Sequence, residues 1–356
     1  MRCYSGYPRP AVPDRHPPTA SAGSSSSVGT ASAGAAGRRR RREQVDPEAL
    51  VTAARAGDPR ALARLISLVE NASGELRQVM KIIAPLAGGA RVIGLTGSPG
   101  VGKSTVTGAL VRSYRADGLR VGVLAIDPTS PFSGGALLGD RVRMQEHATD
   151  DGVFIRSMAS RGHLGGLAWA TPQALRILDA AGFDMVLIET VGVGQAEVEI
   201  ASTADTTLVV AAPGMGDSVQ AAKAGILEIA DVFVVNKSDR PGAQETVRDL
   251  RTMLAMARYG PADWKPPIVS TAASAGDGIA DLADAIGRHG SWLAESGERD
   301  RRRRARAREE VSAIAVTQLR ERLGGLPGGP RLEELADRVA AGDIDPYAAA
   351  DELIGG

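Results

Sequence analysis

The stretch RVIGLTGSPGVGKS, residues 91–104, decides how this chain reads. Its first six residues are nearly all apolar, as in a strand covered on both faces. Gly97-Ser98-Pro99-Gly100-Val101-Gly102-Lys103-Ser104 then matches G-x-x-x-x-G-K-[ST], and a helical pattern over 103–116 follows. Strand, glycine-rich turn and helix are the context this motif requires. The glycines let backbone N–H groups point inward around phosphates, and the helix N-terminus adds a favourable dipole. Lys103 is placed to bridge β- and γ-phosphates, and Ser104 to ligate Mg2+. A nucleoside triphosphate site is the expectation.

Outward from that segment, strands are expected at 91–96, 120–126, 153–156, 184–189, 206–211, 231–235 and 267–270. Helices are expected between them at 103–116, 171–181, 217–229, 241–257 and 278–289. Alternating β and α segments predict an α/β fold, a doubly wound and mostly parallel sheet of P-loop NTPase type. Ligands then lie at the carboxyl ends of the strands. Helices precede the sheet, where Asp58 is placed as an N-cap and Pro59 as the first helical residue. After residue 291 the strands stop, and 298–323 reads as an Arg-rich amphipathic helix.

Four segments result: a 1–44 extension, a 45–88 helical segment, an 89–290 nucleotide-binding domain and a 291–356 helical arm. The first is rich in Ser, Ala, Gly and Pro and ends in Arg38–Arg42, a composition that cannot bury enough surface to fold. The readings that stay open for it are an organellar transit peptide, or more plainly a disordered bacterial extension or a misplaced start codon.

Several further acids bear on a metal. Asp184-Met-Val-Leu-Ile-Glu189-Thr190-Val191-Gly192 is a buried strand ending in a carboxylate and a glycine. Glu189 can reach Mg2+ directly or through water, and the Gly192 amide can meet a γ-phosphate; a surface acid at a strand end is the plainer reading. Asp127 closes the second strand and Asp140 follows in a Gly-rich loop. They serve either as metal or water-positioning acids or as turn formers.

Base choice is carried by Asn236-Lys237-Ser238-Asp239, directly after a strand. Asp239 can accept from guanine N1–H and the exocyclic amine, a donor pair that adenine lacks. Lys237 can lie over the base, Asn236 tethers the loop, and Thr271-Ala272-Ala273 can offer backbone to guanine O6. GTP is therefore expected over ATP, hydrolysed slowly because no arginine finger or ordered glutamine can be assigned; Gln195 has only a weak case.

Composition narrows the rest. Formal net charge is zero, so no global field draws the chain to nucleic acid or membrane. One cysteine, Cys3, excludes an internal disulfide and any multi-thiolate metal centre. No apolar run is long enough to span a bilayer, and the chain reads as cytoplasmic. Five lysines stand against 37 arginines, which gives each lysine weight, Lys223 among them. The basic run Arg299–Arg308 reads as a solvated face or dimer contact rather than an RNA or lipid site.

The chain resembles the MeaB/ArgK family of the SIMIBI class of P-loop GTPases, proteins similar to human MMAA. The matching stretches are GSPGVGKST (97–105, adding Thr105), LAIDPTSPFSGGALLGDRVRM (124–144), ETVGVGQAE (189–197), PGMGDSVQAAKAG (213–225), NKSD (236–239) and DPYAAADEL (345–353). The resemblance implies a GTPase chaperone of an adenosylcobalamin-dependent acyl-CoA mutase, chiefly methylmalonyl-CoA mutase. Such a protein gates cofactor loading, protects or reactivates the mutase, and pairs as a homodimer through its helical arm. It also implies that Lys103, Asp127, Asp140 and Glu189 serve hydrolysis, and that Ser104 and the three acids serve Mg2+. Lys223 then lies in a loop that signals nucleotide state to the partner, though Ala221-Ala222 replace the family's Gly-Ile. A solvated helix lysine is the alternative. Other functional classes are a generic GTP switch and a metallochaperone GTPase, the latter lacking a Cys/His cluster near the loop. No Asp-x-His-x-x-Gly signature occurs, so the chain is not expected to hold cobalamin itself.

Overall fold

Seven apolar runs pair into one sheet in the computed structural model, which describes residues 46–71, 73–128, 147, 149–160, 170–190, 196–214, 226–322 and 330–355. The strands are β1 (Arg91–Thr96), β2 (Val121–Pro128), β3 (Val153–Ser160), β4 (Met185–Thr190), β5 (Thr206–Ala211), β6 (Val232–Asn236) and β7 (Ile268–Thr271). Each pairing is parallel, and the order is β3-β2-β4-β1-β5-β6-β7. All six residues of β4 are buried, as the continuous apolar run requires of a strand covered on both faces. The expected strands and the observed ones agree to within two residues, except that β3 continues to Ser160.

Before the sheet stand α1 (Pro47–Arg55), α2 (Pro59–Glu70) and α3 (Leu76–Ile83). Asp46 and Asp58 cap the first two, accepting from Glu48 N at 3.0 Å and Arg60 N at 2.8 Å. Between strands lie α4 (Lys103–Ala116), α5 (Thr171–Ala180), α6 (Ala196–Thr203), α7 (Ile226–Ile229), α8 (Ala243–Met256) and α9 (Ile279–Glu295). α4 and α9 cover one face through Val106, Leu110, Leu282 and Ile286. On the other face α1–α3 and α5 share a core with Leu124, Val186 and Ile188, while α8 covers β6 through Val247, Leu250 and Phe233. The helices before the sheet are thus part of its cover. The expected boundary at 290/291 falls inside α9, where Leu293 is buried.

The arm consists of α10 (Glu298–Arg322), α11 (Pro330–Ala341) and α12 (Pro346–Gly355). Its attachment corrects the reading of the arginine run as a solvated face at four positions, while Arg301, Arg304 and Arg308 are exposed. Arg299, Arg302, Arg303 and Arg306 recur at helical spacing, so they share one face of α10. That face lies on the amino ends of the strands. Arg302 donates to both oxygens of Asp231 at 3.1 Å and Arg303 to Asp205 at 3.2 Å; Arg306 also pairs with Asp205. Arg299 reaches the Gly290 carbonyl at 2.7 Å.

Asp205 and Asp231 immediately precede β5 and β6 and also accept from Val92 N at 3.1 Å and Thr207 N at 2.8 Å. A parallel strand starts with N–H groups that no neighbouring carbonyl reaches, and these carboxylates satisfy them. Burial pushes the Asp231 carboxyl up, but hydrogen bonds and charge from His289 and Arg302 outweigh it and hold the group below its ordinary value. Asp205 behaves alike: burial raises it, and Arg306 and Arg303 bring it down further. Farther along α10, Val311 and Leu319 are 66% and 56% exposed.

Among the described residues no helix is long and apolar enough to cross a membrane. The 1–44 extension, Asp140, Gly192, Gln195, Lys223 and most of the expected 217–229 helix lie outside the described residues.

Arg302→Ala leaves a buried carboxylate short of two charge-assisted bonds and is expected to destabilise the chain by about 2 kcal/mol in urea unfolding. Because the folded-state carboxyl lies lower than the unfolded one, the wild-type advantage is complete above the unfolded value near ~3.9. It fades as pH falls through the lower folded value. An equal difference between the two proteins at neutral and strongly acid pH contradicts this.

Candidate functional site

Backbone packing fixes the shape of the loop between β1 and α4. Gly97 has φ +135° and Gly102 φ +95°. A Cβ on Gly97 would run into the Val210 carbonyl of β5, and one on Gly102 into the Asn236 amide of β6. Both positions therefore need glycine for conformation and for space. The Lys103 side chain folds back over this loop, its Nζ donating to Gly97 O at 2.6 Å and Ser98 O at 3.2 Å. It is only 6% exposed, so the ammonium sits within the ring of loop backbone. That backbone and the N-terminus of α4 form a concavity suited to a polyanion.

Glu189, 4% exposed, is the penultimate residue of β4 and lies beside Leu95 of β1 and Ala125 of β2. Ser104 Oγ donates to its Oε1 at 2.5 Å. Thr107 Oγ1 lies 3.1 Å from the other oxygen, Oε2. Sequence reading did not single out Thr107; its signal was a hydroxyl residue one turn beyond Ser104 on a helix face that is otherwise apolar. Asp127 stands two residues past Ala125 in β2, and its side chain lies outside the described residues. Among the described residues no group of three or more His, Cys, Asp or Glu side chains comes together. The hydroxyl and carboxylate oxygens of Ser104 and Glu189 are hard donors, the chemistry Mg2+ takes, and Mg2+ needs only one or two protein oxygens beside phosphate and water. The residues present fit that ion.

The NKSD segment joins this loop rather than standing apart from it. Asn236 Nδ2 donates to Val101 O at 2.9 Å, while its Oδ1 accepts from Thr271 Oγ1 and Ala273 N at 3.2 Å each. Lys237, at φ +58°, sends its Nζ to Gly100 O at 2.7 Å. Ser238 N donates to Thr271 O at 3.0 Å. Asp239 follows and is exposed, as a group that receives a ligand from solvent must be. The Ala272 amide donates to Asp277 O at 3.1 Å and the Ala273 amide to Asn236. A base oxygen reaches either only in competition with those acceptors. Gly97 to Ser104, Glu189, Asn236 to Asp239 and Thr271 to Ala273 thus gather at the carboxyl ends of β1, β4, β6 and β7, with Thr105 exposed on α4.

A family profile described as "Methylmalonyl Co-A mutase-associated GTPase MeaB" matches residues 62–326. A Pyrococcus abyssi relative bearing a GTPase name is 49% identical over 315 residues, spanning 87% of this chain and 97% of its own. The mouse methylmalonic aciduria type A homolog, named as mitochondrial, is 31% identical over 333 residues, 88% of this chain and 80% of its own. A solved LAO/AO transport system kinase superposes with a TM-score of 0.65 at 24% identity, covering 87% of this chain and 98% of that one. The last likeness speaks to the fold, the seven-stranded parallel P-loop architecture. By the extent of the profile match and the identity of its relatives, this chain belongs to the MeaB family of methylmalonyl-CoA mutase-associated GTPases.

Proposed function

We propose that this GTPase binds GTP and Mg2+ at the site above and serves as a chaperone of an adenosylcobalamin-dependent acyl-CoA mutase, methylmalonyl-CoA mutase first among them. The observation that carries the reading is the Asn236 junction, which makes one body of the phosphate loop and the base-reading segment. The mutase as partner draws its support from the family name and from the mouse relative. In this reading the protein works in the cytoplasm, gates cofactor loading, and protects or reactivates the mutase.

We assign the residue roles from the geometry of the described residues and, for Asp127, Asp140 and Lys223, from the family resemblance alone. The backbone of 97–102, with Lys103, holds the phosphates; Ser104 and Glu189 hold Mg2+, joined by Asp127 and Asp140. Bound there, the ion neutralises charge that builds on the phosphate oxygens. Thr105 flanks the phosphates, and Asp239 reads the guanine edge while Lys237 and the 271–273 backbone frame the base. Lys223 signals nucleotide state to the mutase.

We also assign residues 45–88 to the cover of the GTPase domain and the arm to dimerisation. Exposed Val311, Val316 and Leu319 on α10, with Tyr347 and Ile354 on α12, form apolar surface that a second copy would cover.

Two outcomes test this. Tagged protein loaded with a non-hydrolysable GTP analogue or with GDP is expected to retain methylmalonyl-CoA mutase, to different extents in the two states. Retention of no acyl-CoA mutase in either state would return the chain to a generic GTP switch. Light scattering is expected to give a dimer mass for the wild type and a monomer mass for Leu319→Asp; a wild-type monomer would contradict the assignment of the arm.

A further inference from the structure

Both carboxylate oxygens of Glu189 meet hydroxyls from α4. Ser104 Oγ donates to Oε1 at 2.5 Å and Thr107 Oγ1 stands 3.1 Å from Oε2. Ser104 and Thr107 are three positions apart on a helix, so their side chains share a face. Thr107 is fully buried beneath the phosphate loop, where water does not compete for its hydrogen. That single hydrogen has two acceptors in reach, Glu189 Oε2 and the Lys103 carbonyl at 3.0 Å. A carboxylate oxygen is a stronger acceptor than a peptide carbonyl, which favours the bond to Glu189.

The need for a second hold follows from the length of glutamate. Its carboxylate stands one rotatable bond farther from the backbone than that of aspartate. A bond at Oε1 fixes that oxygen, and a second bond at Oε2 fixes the plane of the group. A threonine, stiff at χ1, supplies a fixed second point. We propose that Thr107 is a positioning residue of the metal site: its hydroxyl anchors Glu189 Oε2 so that Oε1 is presented beside Ser104 toward the divalent cation. This deepens the Mg2+ reading above and rests on it. Thr107 holds the carboxylate and contacts no reacting atom, so its effect belongs to cation affinity before turnover.

The test is the Mg2+ dependence of fluorescent GDP release from the full chain, run with wild type, Thr107→Val, Thr107→Ala and Thr107→Ser, each checked for folding by circular dichroism. Thr107→Val is expected to raise the Mg2+ needed for half-maximal retention by about tenfold or more, with Thr107→Ser restoring it to within about twofold. GDP affinity in EDTA should stay at the wild-type level in all of them. Manganese bound to the GDP complex, followed by electron paramagnetic resonance, should weaken in parallel. A folded Thr107→Val protein with wild-type Mg2+ dependence overturns the proposal, as does an equal loss of GDP affinity with Mg2+ and with EDTA, which marks a packing role. Should the valine variant not fold, Thr107→Ala against Thr107→Ser decides by the same criteria. Wild-type GDP release indifferent to Mg2+ would overturn the metal reading itself, and this inference with it.

Discussion

The Asn236 carboxamide uses its donor on the phosphate loop, at Val101 O, and its acceptor on the Thr271–Ala273 turn. The phosphate loop and the Thr271–Ala273 turn are placed relative to that buried side chain. It can reach both partners only because Gly102 has no Cβ, and the loop can lie against β5 only because Gly97 has none. Two glycines and one amide therefore set the distance between the phosphate cradle and the segment that reads the base. A buried amide with its hydrogen bonds made is rigid, whereas one left half-satisfied costs stability, so the junction is specified sharply.

The opposite edge solves a different problem with the opposite sign of charge. Strands begin there with unsatisfied N–H groups, and Asp179, Asp184, Asp205 and Asp231 accept from them. Asp205 and Asp231 are buried and need cations, and α10 delivers them with Arg302, Arg303 and Arg306 from one helical face. The arm is thus tied to the starts of β5 and β6, the same strands whose far ends carry Val210 and Asn236 against the phosphate loop. Its apolar residues lie farther along α10, beyond the docked arginines.

How much of this the sequence disclosed depends on whether a feature was local. Strand and helix positions were legible because apolar runs and glycine punctuation are local properties, and the Asp58 cap with Pro59 was read for the same reason. The phosphate loop was legible because its backbone geometry demands glycine at fixed spacing. The role of Arg302, Arg303 and Arg306 was not, since a stripe of guanidinium groups looks like a solvated face until aspartates 71 to 101 residues away are brought beneath it. Thr107 escaped for a related reason: its partner, Glu189, lies 82 residues on and meets it only when β4 enters the sheet beside β1. β3 ran past its expected end at residue 156 because its pairing with β2 continues through Ser160.

Base selection by Asp239, built onto a phosphate loop through Asn236, is the central claim, and the nucleotide preference of the purified chain tests it most directly. Turnover of GTP should exceed that of ATP by at least about a hundredfold under matched Mg2+, and Asp239→Asn should erase most of that margin. Equal turnover of the two nucleotides by the wild type, or an unchanged preference in Asp239→Asn, would contradict it.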